Sequence, residues 1–375
     1  MIRNCDLLTE NQDLEIIYTY KNFPVFMGTS VSSIETDVLQ DLNIGISLSS
    51  GLIQITNPAP IYQVYKTSHG SGTVGSSWKE HHEKFAKFLY ESNPTKILEI
   101  GSHHTILYEN FKKLSNNIDW TIIDVNIEKK LGIKTINLFF DEFFETEEKY
   151  DTIVHSHLIE HVYDINKFLL KCKNILKKNG NMVFSIPNMS EMIKKFYTNC
   201  INFEHTFLLS DDYLELFLCK HGFSIIKKEY FREEHSIFYT VTFSGHTKKY
   251  TFLQDEYLKN KTIFLKYVEY QKKLVEQYNT AINNFDGDIY LFGAHAVSQY
   301  LISYGLNTDK IKFILDNDIN KLNTRLCGSN LRVTSPLQEL SNQKSSMVIL
   351  RSGTFNNEIK HDILNNINNK IIFIE

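Results

Sequence analysis

Hydrophobic and polar positions follow two periods along this chain, and the periods alternate in a regular order. Residues 1 to about 80 mix short apolar runs with turn residues; LIQI (52–55) predicts a strand and NPAP (57–60) a break. From Ser77 the period becomes helical. In SSWKEHHEKFAKFL, Trp78, Phe85, Phe88 and Leu89 share one face, with Ser76 or Ser77 as the N-cap. Strand-like KILEI (96–100) precedes a helical stretch near 105–114. WTIIDV (120–125), KTINLFF (134–140) and DTIVHS (151–156) are strand-like. DINKFLLKCKNILKKNG (164–180) has helical period and ends on Gly180 as a C-cap signal. Strand NMVFSIPN (181–188), helix DDYLELFLCKHGF (211–223) and strand SIIKKEYF (224–231) follow.

Strands separated by helix-length pieces predict a parallel α/β sheet. Residues 251–285 predict one long, kinked helix that links domains. Beyond it IYLFGA (289–294), AVSQYLISYG (296–305), IKFILDND (311–318), MVILRS and IIFIE (371–375) repeat the strand–helix alternation in a smaller unit. The expected parts are an N-terminal module (1–80), a central α/β domain (81–245), a linker helix (246–285) and a C-terminal α/β domain (286–375).

A chain of 375 residues is long enough for two or three cores. Its formal net charge of −4 provides no overall basic field for nucleic acid, and Lys171–Lys178 reads as solvated charge at a helix end. No apolar run reaches the roughly 18 residues that span a bilayer, and MIRNCDLLTENQD lacks the apolar core of a secretory leader. The five cysteines are scattered without a CxxC pair, which fits a reducing, cytoplasmic setting.

The chemistry concentrates where the central strands end. Ligands of open α/β sheets bind at the carboxyl ends of strands. KILEI ends at Gly101, where the backbone can approach a ligand, although an ordinary β–α turn explains a lone glycine as well. WTIID ends at Asp124, a carboxylate suited to two ribose hydroxyls or to capping a helix. A third strand ends in Phe139-Phe140-Asp141, an aromatic and an acceptor that suit adenine. A fourth ends at His155–His157.

In this order, ILEIGS (97–102), IIDVN (122–126), FFDEF (139–143), YDTIVHSHLIEHVYD (150–164) and LKKNGNMVFSIPN (176–188) resemble the class I S-adenosylmethionine-dependent methyltransferases over residues 96–230. The resemblance implies a Rossmann-like domain that binds S-adenosyl-L-methionine. It implies that Glu99, Gly101 and Ser102 face the methionine end, Asp124 and Val125 the ribose, Phe140 and Asp141 the adenine, and the backbone at His155 the methyl site. Glu160 and His161 are structural in that motif.

Further stretches resemble the three-module sugar C-methyltransferases of deoxysugar biosynthesis. EIGSHHT (99–105) is similar to their EIGSNDG turn, with His103, His104 and Thr105 in place of Asn, Asp and Gly. SLSSGLIQ (47–54) is similar to half of their N-terminal zinc module, with Ser47 and Ser50 at cysteine positions and Cys5 remaining of the other knuckle. Serine hydroxyls do not ionise near neutral pH, so no metal is expected there and apolar packing is expected to hold the module. FEHTFLLS (203–210), YKTSHGSGTVGSSWKEHH (65–82) and the C-terminal unit complete the likeness.

The resemblance implies methyl transfer to the carbon or oxygen of a nucleotide-linked sugar or similar activated glycan unit. A non-catalytic binding subunit with a decayed domain, or an N-methyltransferase of a small metabolite, are the alternatives. Methyl transfer from a sulfonium needs alignment and, for a protonated acceptor, a base. His205 is the candidate base, with Glu204 beside it; a loop cap is the competing role. Tyr65 is a second base or a lid, or one of many core tyrosines. His81 and His82 are expected on the helix surface; His103 and His104 either line the pocket or, the preferred reading, start the next helix. No histidine cluster shows metal-ligand spacing with acidic or thiolate partners. FGAHAVS in the C-terminal unit offers a poor phosphate loop, and Asp316, Asn317 and Asp318 read as turn residues.

Overall fold

The computed structural model describes residues 2–65, 75–127, 132–141, 144–233, 235–247 and 256–375. Parts of three predicted stretches lie outside them: 66–74 of the segment 65–82, 142–143 of FFDEF, and 248–255 of the linker helix (246–285). Near the N-terminus come β1 (Leu14–Pro24), β2 (Thr29–Ser30), β3 (Leu39–Ser47) and β4 (Ile53–Ile55). The central strands are β5 (Lys96–Ile100), β6 (Asp119–Ile123), β7 (Lys134–Ile136), β8 (Tyr150–Ser156), β9 (Leu176–Pro187), β10 (Phe223–Phe231) and β11 (Ser236–Phe243). The last set is β12 (Asp288–Phe292), β13 (Ile311–Leu315), β14 (Arg325–Leu326), β15 (Val333–Thr334), β16 (Ser346–Leu350) and β17 (Ile371–Ile374).

The central sheet has the order β10-β11-β9-β8-β5-β6-β7. β5, β6, β7, β8 and β9 are parallel, whereas β11 pairs antiparallel with both β9 and β10. The parallel strands are apolar runs because helices cover both faces. Leu98, Ile100, Ile153, Phe184 and Ile186 pack against helices Ile165–Ile175 and Asp211–Lys220. Ile97, Ile122, Val154 and Val183 pack against helices Ser76–Tyr90 and Ile106–Lys112. Each buried aliphatic side chain removed from water contributes about 1.5–3 kcal/mol.

β1, β3 and β4 form an antiparallel N-terminal sheet, and β15-β13-β12-β16-β17 a parallel C-terminal one. Helix Glu256–Asn284 spans two cores: Phe264, Tyr267 and Val268 join the N-terminal one, and Leu274, Val275, Tyr278 and Ile282 the C-terminal one. Among the described residues, no helix is long and apolar enough to cross a membrane.

Several local expectations need correction. The predicted C-cap Gly180 is not one: the helix ends at Ile175, Leu176 is already extended, and β9 starts there because Leu176 pairs with Tyr150 of β8. KTINLFF is a strand only over Lys134–Ile136; beyond it Phe140 folds onto Phe144 and Phe168. Gly75, at φ 100°, is the N-cap of Ser76–Tyr90, and Glu358 accepts from the Ser76 amide at 2.9 Å. The SLSSGLIQ turn rests on polar bonds rather than apolar packing alone. Ser47 Oγ donates to Asp13 at 3.0 Å, the Ser49 amide donates to Asp13 at 2.8 Å, and the Leu52 amide donates to Ser50 Oγ at 3.1 Å.

Candidate active site

Parallel pairing sets Ile100 of β5 beside Ile123 of β6 and His155 of β8. The residues that follow these strands therefore share one edge of the sheet. Gly101 takes φ 73°, and a Cβ there would fall 2.5 Å from Leu158 Cδ1. Only glycine fits both the backbone and the space. Its amide donates to the Ile123 carbonyl at 2.9 Å, tying the turn to β6. Ser102 is buried and donates through Oγ to the His104 carbonyl.

Glu99 is buried and accepts from Trp120 Nε1 at 2.9 Å. Burial raises its pKa to about 7, against the lowering effect of hydrogen bonds from Ser102 and Trp120. Asp124 follows β6 and accepts the Asn126 amide at 2.7 Å, so it closes a local turn rather than capping a helix. Burial raises its pKa as well, offset by that bond and by His103. Val125 is half-buried next to it. The Phe140 ring lies under the Lys171 ammonium, 5.7 Å from its centroid; Asp141 is exposed, and its carbonyl accepts from Lys171.

One expectation changes at this edge: His103 and His104 lie before the next helix and not in its first turn. The His155 side chain points into the core, stacked on Phe184 at 4.8 Å, and burial lowers its pKa to about 3. Only its backbone can line the crevice. The helix after His103 and His104 starts at Ile106, with Thr105 as N-cap. The His104 ring meets His82 at 5.5 Å, and burial, then His103 and His82, lower its pKa to about 4.

The second group of predicted residues sits beyond β8. Tyr65, after the short helix Ile61–Val64, shares a 2.7 Å hydrogen bond with His161 Nδ1. The His161 ring lies edge-on to His205 at 4.6 Å. Asn202 fixes the loop, accepting the Glu204 and His205 amides at 2.8 and 2.9 Å. Asn202, not His205, is thus the residue that caps it. The loop also extends the N-terminal sheet: the Ile55 amide donates to Thr206 and the Leu208 amide to Ile53, both at 2.8 Å. Arg3 donates to the carbonyls of Tyr163 (2.7 Å) and Thr206 (3.1 Å), locking the module to both segments.

Burial lowers the pKa of His205, offset by Glu204 and a backbone bond, and its Nδ1 has no hydrogen-bond partner among the described residues. Burial, then Glu204, Tyr163 and Glu160, raise the pKa of Tyr65 well above the usual phenol range. Tyr65 therefore stays a protonated phenol and is a poor base. Glu160, also buried, has its pKa raised to about 8 by burial. It faces His157 Nδ1 at 3.6 Å and His161 Nε2 at 3.9 Å.

Sequence reasoning missed a set of histidines here. His81 and His82, expected on the surface, are 0 % and 4 % exposed. His81 stacks with His235 at 5.3 Å and meets His157 at 5.5 Å. Fold alone brings together residues some 150 positions apart in the chain; a local signal exists only at His157, a non-glycine residue at φ 49° directly after a strand. A groove of about 1010 Å³ runs past Asn188, Asp211, Tyr213, Arg232 and Lys259, and none of the predicted site residues lines it.

A methyltransferase-domain family model matches residues 76–228. A ubiquinone biosynthesis O-methyltransferase from Histophilus somni (strain 2336) is 26 % identical over a match that covers 31 % of this chain and 60 % of that protein. The chain thus spans about three-fifths of the length of that curated relative. An S-adenosylmethionine-dependent methyltransferase from Clostridium acetobutylicum ATCC 824 covers 46 % of this chain and 94 % of its own, at 14 % identity and a TM-score of 0.37. The N-methyltransferase NodS from Bradyrhizobium japonicum WM9, in complex with S-adenosyl-l-homocysteine, covers 45 % and 89 % at 13 % identity, with a TM-score of 0.35. With the family match and the observed strand order, residues 76–228 form the core of a class I methyltransferase domain, whose cofactor is S-adenosylmethionine.

Proposed function

We propose that this protein transfers a methyl group from S-adenosylmethionine to a carbon or oxygen of a small acceptor, a nucleotide-linked sugar or a related activated glycan unit. The observation that carries the reading is the pairing of two groups at one end of the sheet. A glycine-only turn at Gly101 and the Asp124 carboxyl form one, and the Tyr65–His161–His205 chain forms the other. The sugar class is supported by the three-module resemblance and by the N-terminal sheet's hydrogen bonds to the His205 loop. The relative's name as an O-methyltransferase agrees with an acceptor that must lose a proton.

The residues fit the cofactor: Gly101 leaves the turn after β5 without a side chain, the buried Glu99 carboxyl lies on β5, and the half-buried Asp124 carboxyl directly follows the adjacent β6. When bound, S-adenosylmethionine supplies an electrophilic methyl on sulfur. The protein's part is to orient the acceptor and accept its proton. Neutral His205 is the base. Tyr65 holds His161 edge-on to it, and Glu204 lies next to it in the chain. The cytoplasm is the proposed setting. The intact turn and carboxyls favour catalysis over a decayed binding subunit.

His205→Gln should lower turnover on a nucleotide-sugar panel at least ~100-fold while leaving S-adenosylmethionine affinity within about twofold. Calorimetry and a methyl-transfer assay read the two separately. Unchanged turnover removes His205 from the role, and no cofactor binding at roughly millimolar concentration sinks the enzymatic reading.

A further inference from the structure

Three imidazoles from three separate elements converge beside the proposed acceptor end. His81 comes from helix Ser76–Tyr90, His157 directly follows β8, and His235 directly precedes β11. Their nitrogens can be chosen so that all lie within 4.8 Å of one another. His81 is 0 % exposed, and neither of its ring nitrogens has a hydrogen-bond partner among the described residues. His235 is 7 % exposed; its Nδ1 is 2.6 Å from Ser236 Oγ, and its Nε2 has no hydrogen-bond partner among the described residues. His157 Nε2 is 2.8 Å from the same Ser236 hydroxyl, and its Nδ1 faces Glu160 at 3.6 Å. Neither carboxyl oxygen of Glu160 has a hydrogen-bond partner among the described residues.

Aromatic packing explains why flat rings gather here: Trp78, Phe231 and Phe238 surround His81 and His235. It does not explain why the rings carry nitrogens. Phenylalanine would fill the same space without the cost of about 1–3 kcal/mol for each buried polar atom left unpaired. A group that pairs several of these nitrogens at once removes that cost.

We propose that His81, His157 and His235 bind one divalent transition-metal ion of the zinc class, with the Glu160 carboxyl positioning His157. Three histidines that leave a fourth position open are a known catalytic zinc arrangement. Imidazole suits zinc, copper, iron and nickel rather than magnesium or calcium. Tetrahedral ligands about 2.0–2.1 Å from the ion stand roughly 3.4 Å apart, so binding draws the rings inward by at most about 1.4 Å. A carboxylate behind a ligating histidine is the usual way such a ring is oriented. The Leu158 side chain, whose residue follows His157 in the chain, is the one that closes over Gly101, so the ligand segment and the β5 turn are in contact. Binding does not rest on the methyl-transfer reading; only the use of the open position for an acceptor oxygen does.

The test is metal uptake by the full chain after chelator treatment. Zinc calorimetry should show one tight equivalent, and cobalt(II) should give the visible absorption of a low-coordinate nitrogen site. His81→Phe and His235→Phe should each weaken zinc binding at least ~100-fold with an unchanged far-ultraviolet circular dichroism spectrum, and Glu160→Gln about 10–100-fold. X-ray absorption on the zinc-loaded wild type needs no variant and should count three imidazoles. No zinc uptake by the wild type, fewer than three imidazoles, or undiminished binding in folded His81→Phe and His235→Phe proteins overturns the proposal. S-adenosylmethionine affinity, measured in parallel without metal, keeps a failure of this site distinct from a failure of the methyltransferase reading.

Discussion

Glu99 is a carboxyl held against an indole in a site that disfavours its charge. Its folded pKa is raised from 4.5 to about 7, mainly by burial. Between those values the folded protein holds a proton that the unfolded chain has lost. The contribution of Glu99 to stability is therefore present below about pH 4.5 and declines as pH rises towards 7. Glu99→Gln removes that dependence. Urea midpoints of the two proteins should diverge between about pH 5 and pH 8, the wild type losing about 1–3 kcal/mol relative to the variant. Parallel curves would show that Glu99 is not the titrating group. At this scale the sequence was readable where chemistry is local. Gly101 and Asp124 end strands, and strand ends can be read from periodicity. His81 was misread because its burial depends on β10, β11 and the His157 turn, which no nearby residue announces.

Helix Ile165–Ile175 shows how an element's two ends differ in legibility. Its start was legible: Asp164 accepts the Lys167 amide at 3.0 Å, as an N-cap aspartate should. Asp164→Ala should cost about 1 kcal/mol, read as a lowered denaturant midpoint with unchanged slope. Its end was not legible. Leu176 leaves the helix because β8 offers a strand partner, which overrides the helical period running to Gly180. The alternation that predicts a parallel sheet survives such errors, because it depends on which runs are apolar and not on where each stops.

At the scale of the whole molecule, distant segments are joined by a few polar anchors. Arg325 of β14 makes two bonds to Asp37, 2.6 and 2.7 Å, and both side chains are about nine-tenths buried. Arg325→Ala leaves Asp37 buried without its partner and should destabilise the protein by about 3–5 kcal/mol in urea unfolding. Replacing both, Arg325→Met with Asp37→Leu, should recover most of the loss; equal losses would mean that the pair acts only through packing. None of these anchors is visible in the sequence, because each joins residues hundreds of positions apart.

The bond from the Ser76 amide to Glu358 also has a bearing on assembly. Gly75 has no side chain to cap the helix that carries His81, so the cap is supplied from 282 positions further along the chain. During synthesis that helix emerges long before its cap exists. Its first turn is completed only after the C-terminal sheet has folded and docked. The histidines on this helix thus gain their final support among the last parts of the fold to close, so the site matures with the whole chain and not with its own domain.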